Sequence, residues 1–241
     1  MKRAAKVLFS ALLPLIVAAC ASSGKAVFAQ REPIALVSVT SNGDINWHGE
    51  ESTNPNAASP LSNRALRTDE DLTLVTSADG LINTAEEIIW EKFSASQQVN
   101  LAEKGTVLFS RAYQNAGINK IQLYNKDAKP DAYAFIDRRD KGFPPALAAE
   151  TGIQRSMFVE FGFTKVLAKG LKMTGSCRAN VEMKVFVLDA GGKTLYSKTF
   201  SVKSVDTIKV SLGVYSQTGL LELFDSAIND VCDEFLYQLG K

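Results

Sequence analysis

Histidine is nearly missing from this chain of 241 residues, which has one, and cysteine is scarce, with three. That leaves little material for a histidine-rich metal centre or a Cys–His nucleophile pair. No Gly-x-x-x-x-Gly-Lys-Ser/Thr loop and no Gly-x-Gly-x-x-Gly loop occurs, so the two commonest phosphate cradles are absent from the sequence. There is no Gly-x-Ser-x-Gly elbow either, and any Ser-His-Asp arrangement would have to use His48. The Gly170-to-Gly175 stretch is glycine-bounded but lacks phosphate-loop spacing and reads as a turn between strands. Charge of either sign is not in excess: 27 Lys and Arg face 26 Asp and Glu, which argues against nucleic acid as a partner. No apolar run approaches the roughly 20 residues that a membrane-spanning helix needs. With so many chemical motifs missing, no catalytic residue is assigned, and a non-enzymatic binding protein is expected.

What is present begins at the N-terminus. Lys2, Arg3 and Lys6 precede an uncharged stretch from Val7 to Ala19, the charged and apolar regions of a secretory signal. The stretch ends in Val17-Ala18-Ala19-Cys20, which resembles the lipobox of bacterial lipoproteins. The resemblance implies cleavage after residue 19, lipid on the Cys20 thiol and acylation of the new N-terminus, with no cofactor beyond that covalent lipid. Ala21 after the cysteine resembles the sorting signal for the outer membrane, giving an expected location in the envelope facing the periplasm. The competing reading is ordinary secretion, because Val27-Phe28-Ala29 also has the small-residue spacing of a cleavage site.

Removing Lys2, Arg3 and Lys6 leaves 24 cations against 26 acids, a net charge of −2 from Cys20 onward. The charge is unevenly spread: residues 157–215 carry nine cations and four acids, and residues 216–241 carry five acids and Lys241. Two readings follow: solvated outer faces of neighbouring elements, or a basic sheet surface facing anionic lipid or an acidic partner. If Cys20 is acylated, Cys177 and Cys232 remain. They either pair in an oxidising compartment, or Cys232 is a small buried hydrophobe on a helical stripe.

Residues 20–33 read as lipidated cysteine and tether, and residues 34–241 as one globular domain. Ile34 to Val39 is a compact apolar run that predicts a central strand. Residues 41–78 are rich in Asn, Ser and Asp without any period, a polar insertion of the kind that is usually a functional loop or disorder. Trp47, His48, Glu50 and Glu51 within it are candidate partner-binding residues, and His48 alone is too little for a metal site. Thr84 and Glu87 have capping-box spacing and predict a helix start. Residues 97–116 fit helix or strand, while Ile121–Tyr124 and Tyr133–Ile136 read as short strands. Pro144 and Pro145 open a short helix ending at Gly152. From Met157 apolar and polar residues alternate, again around Val181–Val187, and Asp189-Ala-Gly-Gly192 marks a hairpin. From Thr218 the period becomes 3.6, with Leu220, Leu221, Phe224, Ile228, Val231, Phe235 and Leu239 on one stripe. The expected class is α+β: a mixed sheet with a long antiparallel hairpin, packed against helices including a long amphipathic C-terminal one.

That order of elements, with Thr151-Gly152, the strand from Met157, the hairpin through Asp189 to Lys193 and the last helix, resembles a group of envelope domains. The group includes the N-terminal domain of the Tol–Pal β-propeller protein, the curli-secretion lipoprotein and the lipoprotein that activates a penicillin-binding protein. The resemblance implies a domain that docks onto other envelope proteins and has no catalytic residues to carry over. The expected function is therefore a membrane-anchored docking or assembly factor with an envelope protein as partner. The alternative is a carrier of lipid or another apolar ligand, with Phe158, Phe161, Phe163, Phe186, Tyr196 and Phe200 lining its cavity.

Overall fold

Strict alternation makes the two longest strands. Met157, Val159, Phe161 and Phe163 are buried, while Glu160, Gly162 and Thr164 between them are half-buried. The same holds for Val181, Met183, Val185 and Val187 against Glu182, Lys184 and Phe186. In the computed structural model, which describes residues 26–29, 31–48 and 77–241, these become β3 (Arg155–Gly170) and β4 (Thr174–Asp189). They form one antiparallel hairpin in which Met157 faces Val187 and Phe163 faces Val181.

Four shorter strands complete a mixed six-stranded sheet. On the outer side of β3 lie β1 (Ile34–Ser41) and then β2 (Asn46–Trp47), both parallel to it. On the outer side of β4 lie β5 (Thr194–Lys203) and then β6 (Ile208–Ser211), both antiparallel. β1 is buried along its whole length, its Ile, Ala, Leu and Val residues together with Ser38, Thr40 and Ser41.

Helices cover one face of the sheet. α1 (Asp79–Ala95) packs on β1, and the 24-residue C-terminal helix packs on β4, β5 and α1. Between them come α2 (Lys104–Leu108), α3 (Arg111–Gln114), α4 (Lys120–Tyr124) and α5 (Phe143–Thr151), so the last helix, Gln217–Gly240, is α6. The apolar stripe of α6 meets the inward face of the hairpin: the Phe163 and Phe224 rings are 5.7 Å apart, and Phe235 contacts Phe93 at 4.9 Å and Phe200 at 5.5 Å. The architecture is α+β, as the periodicity predicts.

Several local expectations are corrected. Helix α1 starts at Asp79 rather than Thr84, whose hydroxyl instead donates to the Gly80 carbonyl inside the helix. Ala78 is the N-cap, and Ser77 just before it accepts the Asp79 N–H. Ile121–Tyr124 is helical, because Asn119 accepts the N–H groups of Ile121 and Gln122 as an N-cap and outweighs the apolar content. Tyr133–Ile136 forms no strand beyond an isolated bridge of Ile136 to Ile118. The ambiguous stretch 97–116 becomes α2 and α3.

Part of the segment expected to be a tether packs on the domain. Residues 26–29 make a helical turn whose Val27 and Phe28 are buried, Phe28 meeting the rings of Tyr196 and Phe235 edge-on at 5.2 and 5.7 Å. The unpatterned insertion is shorter than expected, since Asn46–Trp47 joins the sheet and Asp44 bridges Ser77. Cys20, Glu50 and Glu51 lie outside the described residues. Cys177 and Cys232 do not pair; both are buried free thiols. Cys177 sits across from Ile208, which abuts Gly219 at the start of α6, whereas Cys232 is thirteen residues further along. At 1.5 Å per residue that is about 20 Å of helix, far beyond disulfide reach.

Candidate functional site: a polar groove on the open face of the sheet

The second face of the hairpin carries the half-buried residues of the alternation. In register across β3, β4 and β5 stand Phe158, Phe186 and Ser197, then Glu160, Lys184 and Thr199, then Gly162, Glu182 and Ser201. Among the described residues no long helix packs here. Instead a strap of residues 117–140, which includes α4, runs along the β1 side and leaves a groove between itself and the strands.

The strap is tied down at defined points. Ser41 and Ala128 exchange backbone hydrogen bonds of 2.8 and 2.9 Å, and Gln122 donates to the Thr40 hydroxyl at 3.1 Å. Tyr113 accepts the Ala134 N–H at 2.8 Å, and Tyr133 accepts the Trp90 indole N–H at 3.1 Å. In both contacts the phenol oxygen accepts, and burial pushes the Tyr113 phenol up to about 12 and raises that of Tyr133 as well. Asn42 fixes the junction after β1: its carboxamide oxygen accepts the Phe163 N–H at 2.7 Å and its amide donates to the Phe163 carbonyl at 2.9 Å. One side chain thus replaces a strand residue where β1 ends.

Two hollows follow one another along β3. The first, about 460 Å³, has Ser38, Thr40, Phe158 and Glu160 as its floor and Ile118, Ile121, Lys120, Arg138 and Arg139 at its rim. The Arg138 guanidinium lies 3.7 Å above the Phe186 ring, which holds this cation over the sheet. The second, about 690 Å³, is lined by Asn42, Asp44, Asn46, His48, Asp127, Thr164, Asn180 and Glu182. Asn180 is buried and donates to the Thr164 hydroxyl at 3.1 Å. Burial, and secondarily the nearby Glu160, raises the Asp127 carboxyl above the ordinary aspartate value. The groove is therefore basic at one end and acidic at the other, with a hydrogen-bonding floor.

Its lip is apolar. Helix α4 has no buried residue, and Ile118, Ile121, Leu123 and Tyr124 are all exposed, Tyr124 by 88%. Four neighbouring apolar side chains at the rim of a polar groove form a surface suited to a protein partner, which could bury the lip and pair with the floor. No group of three or more His, Cys, Asp or Glu suited to a metal ion occurs among the described residues.

Of the residues singled out in the sequence, His48 lines the second hollow and Trp47 does not. Trp47 sits in β2 with the ammonium groups of Lys165 and Lys172 at 5.7 and 5.5 Å from its ring. Consecutive strand residues point to opposite faces, so the pair is divided. Sequence reasoning missed Asn42, Asp127, Thr164, Asn180 and the α4 lip. The Asn119 cap and the polar half of the alternation were the available signals. Of the aromatic residues expected around a cavity, Phe163 packs on Phe224 and Tyr196 and Phe200 on Phe235, whereas Phe158 and Phe161 border the two hollows and Phe186 stands on the open face beneath Arg138.

No protein-family model and no curated protein matches the chain. Among solved structures it is similar to a hypothetical protein from Chlamydia trachomatis, at 8% identity over 87% of this chain and 94% of that chain, with a TM-score of 0.33.

Proposed function

We propose that the protein is a lipid-anchored envelope protein that docks a protein partner in the groove of its open sheet face, without catalysing a reaction. The observation that carries this reading is the contrast in covering: helices bury one face of the hairpin, while the other offers a polar floor, separated charges and an exposed apolar lip. A partner segment that fits is acidic where it meets Lys120, Arg138 and Arg139, and basic where it meets Asp44, Asp127 and Glu182. The layout resemblance to envelope docking domains points the same way. The carrier reading is less well supported: Phe163, Tyr196 and Phe200 are packed around α6, and Phe158 and Phe161 border hollows whose remaining lining is mostly polar.

The anchor at Cys20 is supported by the packing of the segment after it. Conventional cleavage after Ala29 would remove Val27 and Phe28, both buried in the domain, whereas cleavage before Cys20 keeps them. Five residues lie between Cys20 and residue 26, six chain steps that allow about 20 Å of reach and would keep the domain close to the membrane surface.

The test is crosslinking of the tagged full-length protein in its native envelope, with mass spectrometry of the captured proteins and of the N-terminal peptide. The reading expects an acylated Cys20 peptide and a reproducible partner that Gly162→Trp removes while leaving the fold intact. Gly162 has room for a side chain on the groove side, its nearest neighbour being the Glu182 Cβ at 3.6 Å. An N-terminus at Gln30 would overturn the anchor, and capture unchanged by Gly162→Trp would overturn the groove.

A further inference from the structure

The hairpin outgrows the helices that cover it. Residues 167–174, the end of β3 and the turn into β4, are all exposed. Beside them stands the turn 211–214 that follows β6, joined by a hydrogen bond of 2.9 Å from the Gly213 N–H to the Met173 carbonyl. The two turns, forty residues apart in sequence, build one apex. At that apex Leu171, Met173 and Leu212 expose 69%, 53% and 75% of their surfaces. Leu212 is also held at φ 54°, a left-handed conformation that costs a bulky L-residue energy and that a glycine would adopt freely.

Charge is segregated at the same place. The chain has no acid between Glu160 and Glu182 and none between Asp206 and Glu222, and these two segments contain the apex. Within them lie Lys165, Lys169, Lys172, Arg178 and Lys209. Lys169 and Lys209 share one cross-strand row, both in register with Ser176, and both are exposed.

We propose that this apex is a membrane-insertion tip that enters an anionic lipid leaflet, with Leu171, Met173 and Leu212 at acyl-chain depth and Lys169 and Lys209 on the headgroups. A convex point ringed by lysines suits a bilayer, which closes around it. A folded protein partner would need about 800 Å² of matched surface that an apex does not offer. Long lysine stems lay apolar methylenes toward the chains while their ammonium groups stay at the phosphates. The site is separate from the groove and does not depend on Cys20. The N-terminal turn packs at the other end of β3, where Arg155 binds the Val27 carbonyl, and sixteen strand residues at about 3.3 Å each put the poles roughly 50 Å apart. A chain held at both poles by one leaflet lies along it.

The experiment places an environment-sensitive fluorophore on Leu171→Cys in the full chain bearing Cys20→Ser; the buried Cys177 and Cys232 stay unlabelled. Binding is followed on phosphatidylcholine vesicles with and without phosphatidylglycerol, including brominated lipids as depth quenchers. The expected result is a blue shift and quenching on the anionic vesicles only, reversed at roughly 1 M salt, where the screening length is about 3 Å. Lys169→Gln with Lys209→Gln should weaken insertion about 25-fold, near fivefold per cation. Leu212→Gly should weaken insertion while leaving the fold as stable or more so, a pairing that a purely structural leucine would not give. A label that stays in water on anionic vesicles overturns the proposal, as does equal insertion into both lipid compositions. Because the readout sits at residue 171, it is blind to whether the N-terminal segment also meets the bilayer, so a failed anchor and a failed tip are distinguishable.

Discussion

The two faces of the β3–β4 hairpin are made by the same thirty-odd residues and share one backbone, yet they serve opposite ends. The covered face holds Phe163, Val181, Met183 and Val185 under α6 with no accessible surface. The open face holds Glu160, Glu182, Lys184 and Thr164, part-exposed, and the buried Asn180 beside them. On the proposed reading, stability and recognition are divided by strand parity. A substitution's effect depends less on which element it hits than on whether its position is odd or even. The buried odd positions of 157–163 and 181–187 should cost folding free energy, and the part-exposed even positions Glu160, Gly162, Glu182 and Lys184 should cost binding alone.

The largest expected effect is on the covered face. Phe163→Ala or Phe235→Ala removes a ring from the aromatic cluster around α6 and should lower stability by about 3–5 kcal/mol, measured by urea unfolding. Phe28→Ala should cost about 3 kcal/mol by the same assay, at the lower edge of that range because its turn lies at the margin of the core. If removal of Phe28 were neutral, residues 26–29 would not belong to the domain and the case for cleavage before Cys20 would weaken. On the open face, Glu182→Ala should shift stability by no more than about 0.5 kcal/mol while reducing partner capture. A large loss of stability there would break the division between the faces.

The smallest effect sharpens the electrostatics of the groove. The Asp127 carboxyl is raised by burial and by Glu160, so the folded state holds its proton more tightly than the unfolded chain does. That contribution to stability is full below the ordinary carboxylate range and is lost as pH rises through the folded value. At neutral pH the ionised Asp127 therefore disfavours the fold, and Asp127→Asn should raise stability slightly. The gain should fade below about pH 4. Calorimetry across that range checks both the sign and the window.

The covered face was legible in the sequence and the strap was not, for a physical reason. Long strands and the 3.6-residue stripe of α6 repeat one pattern many times, so Met157–Phe163, Val181–Val187 and Leu220–Phe235 each signal their structure redundantly. Residues 97–140 contain helices of only four or five residues, too short for a period to register, and their form is decided by single contacts. Asn119 turns Ile121–Tyr124 into a helix by capping it, and Tyr113 holds Ala134 from another element. The groove was half legible: the polar positions of β3 and β4 were visible as an outward face. The strap that converts this face into a groove depends on long-range hydrogen bonds such as Ser41 with Ala128. Trp47 and His48 were marked together, and strand alternation parts them. Cys177 and Cys232 looked like a pair by number, and the length of α6 keeps them apart.

The most direct test of the central claim is site-specific photocrosslinking in the native envelope, comparing a crosslinker at Glu182 on the open face with one at Asp225 on the exposed side of α6. The account predicts a discrete protein adduct from position 182 and none from position 225. Adducts of the same protein from both positions, or from 225 alone, would contradict it.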